Sequence, residues 1–184
     1  MKKRLIAALV GGIIIFFWQF LSNAALDLHR PAQQYTANQD SILNYLSSHL
    51  KEGKYFLPTI PVGATAEEMQ QSMEKSMGKP WAIVDYKESM STNMGMNMTR
   101  GFIIDIIMVW MFISILSRGN INSMGGILYT SLVTGFLSFL FFPYTNFIWY
   151  ESPGIFIEML DAIACWGLCG LWLGFYLPEK PVIG

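Results

Sequence analysis

Four stretches of this chain carry almost no charge, and each is about long enough to cross a bilayer as a helix. Residues 5–26 form an uncharged run of 22 positions that includes LIAALVGGIIIFFWQFL. At 1.5 Å per residue it makes about 33 Å of helix, which matches a hydrocarbon core. Residues 101–117 contain one charge, Asp105; residues 124–142 contain none; residues 154–177 contain Glu158 and Asp161. The spacing predicts a four-transmembrane-helix bundle, with spans at 1–26, 101–117, 124–142 and 154–177. The composition agrees: 53% of residues are hydrophobic and only 14% charged, against about a quarter charged in soluble domains.

Basic residues orient the spans. Lys2, Lys3 and Arg4 precede the first, Arg118 ends the second and Lys180 follows the fourth. With four spans these positions share one side, which the positive-inside rule makes cytoplasmic. Residues 27–100 then lie on the outer, extracytoplasmic side. The short outer loop 143–153 carries Tyr144, Trp149 and Tyr150, residues suited to an aromatic interface belt. A cleavable signal peptide is the alternative for the first span, because Ser22-Asn23-Ala24 resembles a small-x-small cleavage site. The long apolar run and its bulky end, Phe16, Phe17, Trp18 and Phe20, favour a retained anchor.

The outer segment holds 15 of the 25 charged residues, 7 basic and 8 acidic. It reads as a small α+β extracytoplasmic domain inserted between helices 1 and 2. Ile42, Leu43, Leu46 and Leu50 share a helical face over residues 40–52, with Gly53 as a stop. Residues 54–60 read as extended, limited by Pro58 to an edge strand or none. Thr65-Ala66-Glu67-Glu68 forms a capping-box pattern opening a helix through Met69, Met73 and Met77 to Gly78. Residues 81–86 (WAIVDY) are the strongest strand. Residues 89–99 show no clear period. So short a segment buries little alone, so a membrane surface or partner is expected to complete its core.

Acids inside spans are costly and should face the bundle interior or water. Asp105 lies about 6 Å from the outer end of helix 2, and Glu158 and Asp161 about 6 and 10 Å from that of helix 4. Gln19, Ser22 and Asn23 end helix 1. Ser131, Thr134 and Ser138 form a stripe on helix 3 with Ser138 outermost. These positions predict a polar pocket of Asp105, Glu158, Asp161, Arg100, Gln19, Ser22 and Ser138, open toward the outside. Like charges raise one another's pKa, so the three acids need cations. Arg100 is the first candidate, and His29 and Arg30 are next. Such a cluster serves either as a proton, cation or polar-substrate site or as a hydrogen-bonded structural knot.

Met90, Met94, Met96 and Met98 form a dense run of soft thioether ligands, a weak Cu(I) candidate set against the ordinary use of Met as packing filler. No other metal or cofactor is expected. Cys165 and Cys169 lie four apart without a C-x-x-C pattern and read as packing residues. Gly170-x-x-x-Gly174, Ala7/Gly11 and Ala8/Gly12 are small-xxx-small pairs, expected to close the bundle. Neither histidine lies in a span, so bis-histidine haem ligation is not available there. No G-x-S-x-G, H-E-x-x-H or P-loop occurs. A net charge of −1 gives no footprint for nucleic acid.

Trp18-Gln19-Phe20-Leu21-Ser22 followed by His29, then Gly53-Lys54-Tyr55-Phe56-Leu57-Pro58, is similar to a pattern in a group of small bacterial inner-membrane proteins with no assigned activity. Their first helix carries a W-G-x-x-S-type end and a histidine, and a G-x-Y-x-x-P segment follows outside. Gln19 stands here for the usual glycine, and Asn23 for a common aromatic. The resemblance covers the first sixty residues and implies topology and location. It draws attention to Trp18, Ser22, His29, Tyr55 and Pro58, with His29 as a possible titratable switch.

The function these features lead one to expect is a non-enzymatic accessory, assembly or stabilising subunit of a membrane complex. It would be partnered by the lipid bilayer and by another membrane protein or a second copy. The alternative is a small transporter or proton-coupled membrane protein that uses the carboxylate pocket.

Overall fold

A computed structural model describes residues 1–90 and 93–178. Lys180, used above for orientation, lies outside the described residues. The chain is mostly helical, with four helices long and apolar enough to span a membrane and one small two-stranded sheet. It divides into two compact units: Met1–Gln34 together with the chain from Asn93 onward, and Tyr35–Thr92.

In the larger unit, α1 (Lys2–Phe20) continues into a π-helical turn, Leu21–Ala25. Helix α4 (Met94–Arg118) begins seven residues before the expected 101, because the Asn93 side chain accepts a hydrogen bond from the Met96 N–H and caps the helix there. Helix α5 (Met124–Phe139) is capped by Ser123, whose Oγ accepts from the Gly126 N–H. It then widens into a π turn, Leu140–Tyr144, around Pro143. Proline has no N–H for the ordinary ladder, so the helix loosens there rather than continuing regularly. The expected loop 143–153 is therefore helical as far as Tyr150, as α6 (Thr145–Tyr150), and α7 (Ile155–Tyr176) follows.

Helix α1 packs against both α4 and α7, and α5 packs on α7. Small residues make these approaches possible. A methyl group added at Gly12 would lie 2.9 Å from the backbone nitrogen of Ile106, and one at Gly11 would lie 2.7 Å from Val109 and 3.1 Å from Cys169. One at Gly135 would reach the Ala162 carbonyl at 2.5 Å, and Gly170 and Gly174 abut Ser131 and Met124. The small-residue pairs thus serve contacts within the bundle. Between the helices lie Ile15, Val109, Phe112, Ile113, Leu116, Ile127, Trp166 and Leu173, with Phe112 and Trp166 edge-to-face at 5.1 Å.

The smaller unit contains α2 (Gln39–His49), β1 (Gly53–Leu57), α3 (Ala66–Ser76) and β2 (Ala82–Tyr86). Helix α2 ends three residues before the expected Glu52, with Leu50 already extended. Strand β1 stops ahead of Pro58 and pairs antiparallel with β2, from Gly53 opposite Tyr86 to Leu57 opposite Ala82. The Lys87–Glu52 ion pair, at 3.2 Å, lies just beyond the Gly53–Tyr86 end of the ladder. Both arms of the capping box on α3 are formed: Thr65 Oγ1 accepts from the Glu68 N–H, and Glu68 accepts from the Thr65 N–H at 2.8 Å. Tyr86 is the one buried residue among the described residues of this unit. Ile42, Leu43, Met69, Met73, Met77 and Trp81 are all exposed.

Candidate functional site

The polar centre of the larger unit is Asp161 on α7. Trp18 and Ser22 are four residues apart on α1 and so share a face. The π turn at Leu21–Ala25 ends with the Leu28 N–H donating to the Ser22 carbonyl at 3.0 Å. Asp27, at φ 50°, then reverses the chain, and a short 3-10 turn at Arg30–Ala32 follows. This reversal brings His29 back to the end of its own helix. Ala32 packs against Gly154, where an added methyl group would meet it at 3.1 Å.

Three donors converge on the Asp161 carboxylate. Ser22 Oγ lies 2.7 Å from Oδ1 and 2.8 Å from Oδ2. Trp18 Nε1 donates to Oδ1 at 3.0 Å. His29 Nε2 lies 2.8 Å from Oδ2, and its Nδ1 is 3.9 Å from Glu158 Oε1. An ionised carboxylate only accepts, so Nε2 is the donor in the tautomer that completes this contact. Ser22 is fully buried. Its hydroxyl hydrogen is directed to Asp161, and the 3.4 Å approach of His29 Nε2 brings a nitrogen that is already donating. The carboxylate therefore sits at the centre of the cluster. In a Ser-His-Asp catalytic set the histidine would sit between the other two and take the serine proton. Here the carboxylate, and not the imidazole, occupies the middle position.

A second carboxylate lies nearby on α4. Asp105 is 2% exposed and accepts from Gln19 Nε2 at 3.3 Å, while its Oδ2 is buried with no hydrogen-bond partner among the described residues. Gln19 thus ties α1 to α4 as Trp18 and Ser22 tie it to α7. Glu158 is half-exposed and lines a cleft of about 130 Å³ with Phe142, Pro143, Asn146, Ser152, Pro153 and Ile155. Neither Asp105 nor Asp161 lines that cleft.

Other residues considered from the sequence stand apart. The acid–base contacts within 4.0 Å among the described residues are His29–Glu158, His29–Asp161 and Lys87–Glu52, so Arg100 and Arg30 form none. Ser138 donates to the carbonyl of Gly135 and Thr134 to that of Thr130, both within α5. Ser131 is buried and donates to the Trp166 carbonyl at 2.7 Å, linking α5 to α7. Met90, Met94, Met96 and Met98 are exposed. On α4, Met94 and Met98 fall on one face, while Met96 lies about 200° around the helix from Met94. Cys165 and Cys169 are unpaired in α7. Trp18 is the donor that the expected pocket omitted. The resemblance of the first helix end draws attention to Trp18, Ser22 and His29 together, but the four-residue spacing to Ser22 alone does not distinguish a tryptophan near a helix end from an interface anchor.

No protein-family model matches the chain, and no curated protein or solved structure matches it either.

Proposed function

We propose that the protein is a non-enzymatic integral membrane protein, an accessory, assembly or stabilising subunit of a larger membrane complex. In this reading the four apolar helices cross a bacterial inner membrane. The N- and C-termini are cytoplasmic and residues 27–100 stand outside as the contact surface. The observation that carries it is an open apolar groove in the smaller unit. The groove encloses about 620 Å³, and its apolar lining is Pro58, Ile60, Met69, Met73, Met77 and Trp81, with Thr59, Ser72, Ser76 and Lys79 among the other wall residues. Met73, Met77 and Trp81 are 69%, 75% and 55% exposed, and the unit has little core of its own. Methionines are adaptable contact residues, and tryptophan is a frequent anchor of interfaces. The saturation of Asp161 by Trp18, Ser22 and His29 supports a structural use of that carboxylate.

Gentle extraction of the native chain into nanodiscs is expected to retain a stoichiometric partner, and Met73→Glu to release it. A clean monomer or homo-oligomer from the native membrane would overturn the proposal.

One observation favours the second reading, a small transporter or proton-coupled protein: the buried Asp105 Oδ2 has no hydrogen-bond partner among the described residues. Under it, the Asp105→Asn and Glu158→Gln double variant loses a membrane-linked phenotype. An unchanged phenotype removes this reading.

A further inference from the structure

The opposite end of the larger unit holds a pocket that neither proposal uses. Met1, Lys3, Arg4, Leu116, Ser117, Asn120, Ile121, Asn122 and Leu177 enclose about 330 Å³ where the start of α1 meets the α4–α5 connection and the end of α7. Its chemistry is one-sided. It has two cations and three side chains, Ser117, Asn120 and Asn122, that can donate hydrogen bonds, and no acid lines it among the described residues. Neither Lys3 nor Arg4 takes part in an ion pair among those residues. Lys3 spends one of its three N–H groups on the Leu177 carbonyl at 3.0 Å, which fixes the ammonium at the rim.

Two further features point the same way. Helix α1, whose first residues line the pocket, starts without a side-chain cap, which leaves its first backbone N–H groups and positive dipole end without a capping side chain. Leu116, Ile121 and Leu177 give the pocket an apolar wall beside the cations. A guanidinium fork, an ammonium, amide donors and orphan N–H groups are the donor set of a phosphate site. An apolar wall next to them suits a phosphate that carries acyl chains.

We propose that this pocket binds a phosphate monoanion or dianion, and that its source is the headgroup of an anionic phospholipid. Arg4 supplies the two-pronged contact, Lys3 the point charge, and Asn122 and Ser117 the neutral donors. Binding there would staple α1, α4 and α7 together at the end remote from Asp161.

The test uses the full chain, stripped of lipid in detergent and followed by native mass spectrometry and thermal melting. Phosphatidylglycerol, phosphatidylcholine and inorganic phosphate are titrated separately. One phosphatidylglycerol is expected to stay bound in preference to phosphatidylcholine and to raise the melting temperature. Arg4→Gln is expected to weaken it about tenfold, the usual loss for a charge-assisted contact. Lys2→Gln removes the same charge from a residue outside the pocket and should leave affinity unchanged. Asn122→Ala, which keeps every charge, should weaken binding by a smaller factor and serves if Arg4→Gln does not fold. Stabilisation by inorganic phosphate alone, with no preference for phosphatidylglycerol, would keep the phosphate site and assign it to the free ion. Equal retention of the two lipids with no effect of phosphate overturns the proposal. So does a loss in Lys2→Gln equal to that in Arg4→Gln, since surface charge alone would then explain it.

Discussion

Asp161 accepts hydrogen bonds from Trp18, Ser22 and His29, and these donors differ in what they would cost to remove. Asp161→Ala strands a fully buried hydroxyl, an indole N–H and an imidazole N–H together. A loss of about 2–4 kcal/mol is expected, read as a lowered melting temperature in detergent. Trp18→Phe keeps the ring's packing and removes one donor, so about 1 kcal/mol is expected. Equal effects of the two would mean that packing, and not the carboxylate, holds this end together. His29 is the only one of the three that lies beyond the α1 helix and its π turn. His29→Ala should therefore raise hydrogen exchange in residues 26–34 while leaving α7 protected. Unchanged exchange there would show that Ala32 against Gly154 suffices to hold the segment. The sequence made the acids visible but not their partners. Position along a helix gives depth, whereas partnership depends on azimuth. Arg100 lies five residues before Asp105, which turns it about 140° away around the same helix. His29 reaches Asp161 only because a π turn and a left-handed Asp27 fold the chain back, and neither has a reliable sequence signature.

The elements were most legible where a local device announces them. The capping box on α3 and the edge strand limited by Pro58 are both present, because each depends on residues within one turn. The α3 cap also has a pH dependence of known sign. Hydrogen bonds from the Thr65 backbone, and then from its side chain, hold the Glu68 carboxyl below its usual value of 4.5. A group with a depressed folded pKa contributes stability above its unfolded pKa and loses it as pH falls through the folded one. The first turn of α3 is therefore expected to fray below about pH 4.5, seen as faster amide exchange at residues 66–69. Glu68→Gln should remove that pH dependence. Helix starts and ends were less legible. Asn93 begins α4 within a methionine-rich stretch that has no apolar period, and the α5 π turn follows from one proline. Packing between elements gives a sharper prediction. A methyl group at Gly135 meets a backbone oxygen that cannot swing aside, and Gly135→Ala is expected to cost about 1–3 kcal/mol. Gly125 has open space around it, so Gly125→Ala should be neutral or slightly stabilising through helix propensity. Similar losses at both sites would contradict the close approach of α5 to α7.

For the whole molecule, four long apolar helices and a charged insert imply a defined sidedness. The proposed topology is checked by single cysteines and a membrane-impermeant maleimide on intact cells. Ser48→Cys, on the exposed part of α2, should label without permeabilisation, and Asn122→Cys only after it. The reverse pattern would invert the orientation and the proposed location of the groove. Charge distribution made the four long apolar helices readable, because each coincides with a stretch nearly free of charge. Helix order in space was not readable, since four apolar segments of similar length are interchangeable until their small residues find partners.

That order has a consequence for how the protein is made. Helix α1 can settle on α4 once both are made, but α5 packs chiefly on α7, which follows it in the chain. Until α7 arrives, Ser131 lacks its acceptor on Trp166, Asp161 is absent, and Trp18 and Ser22 have no anion to bind. The half-built chain therefore displays unsatisfied polar groups that the finished one conceals.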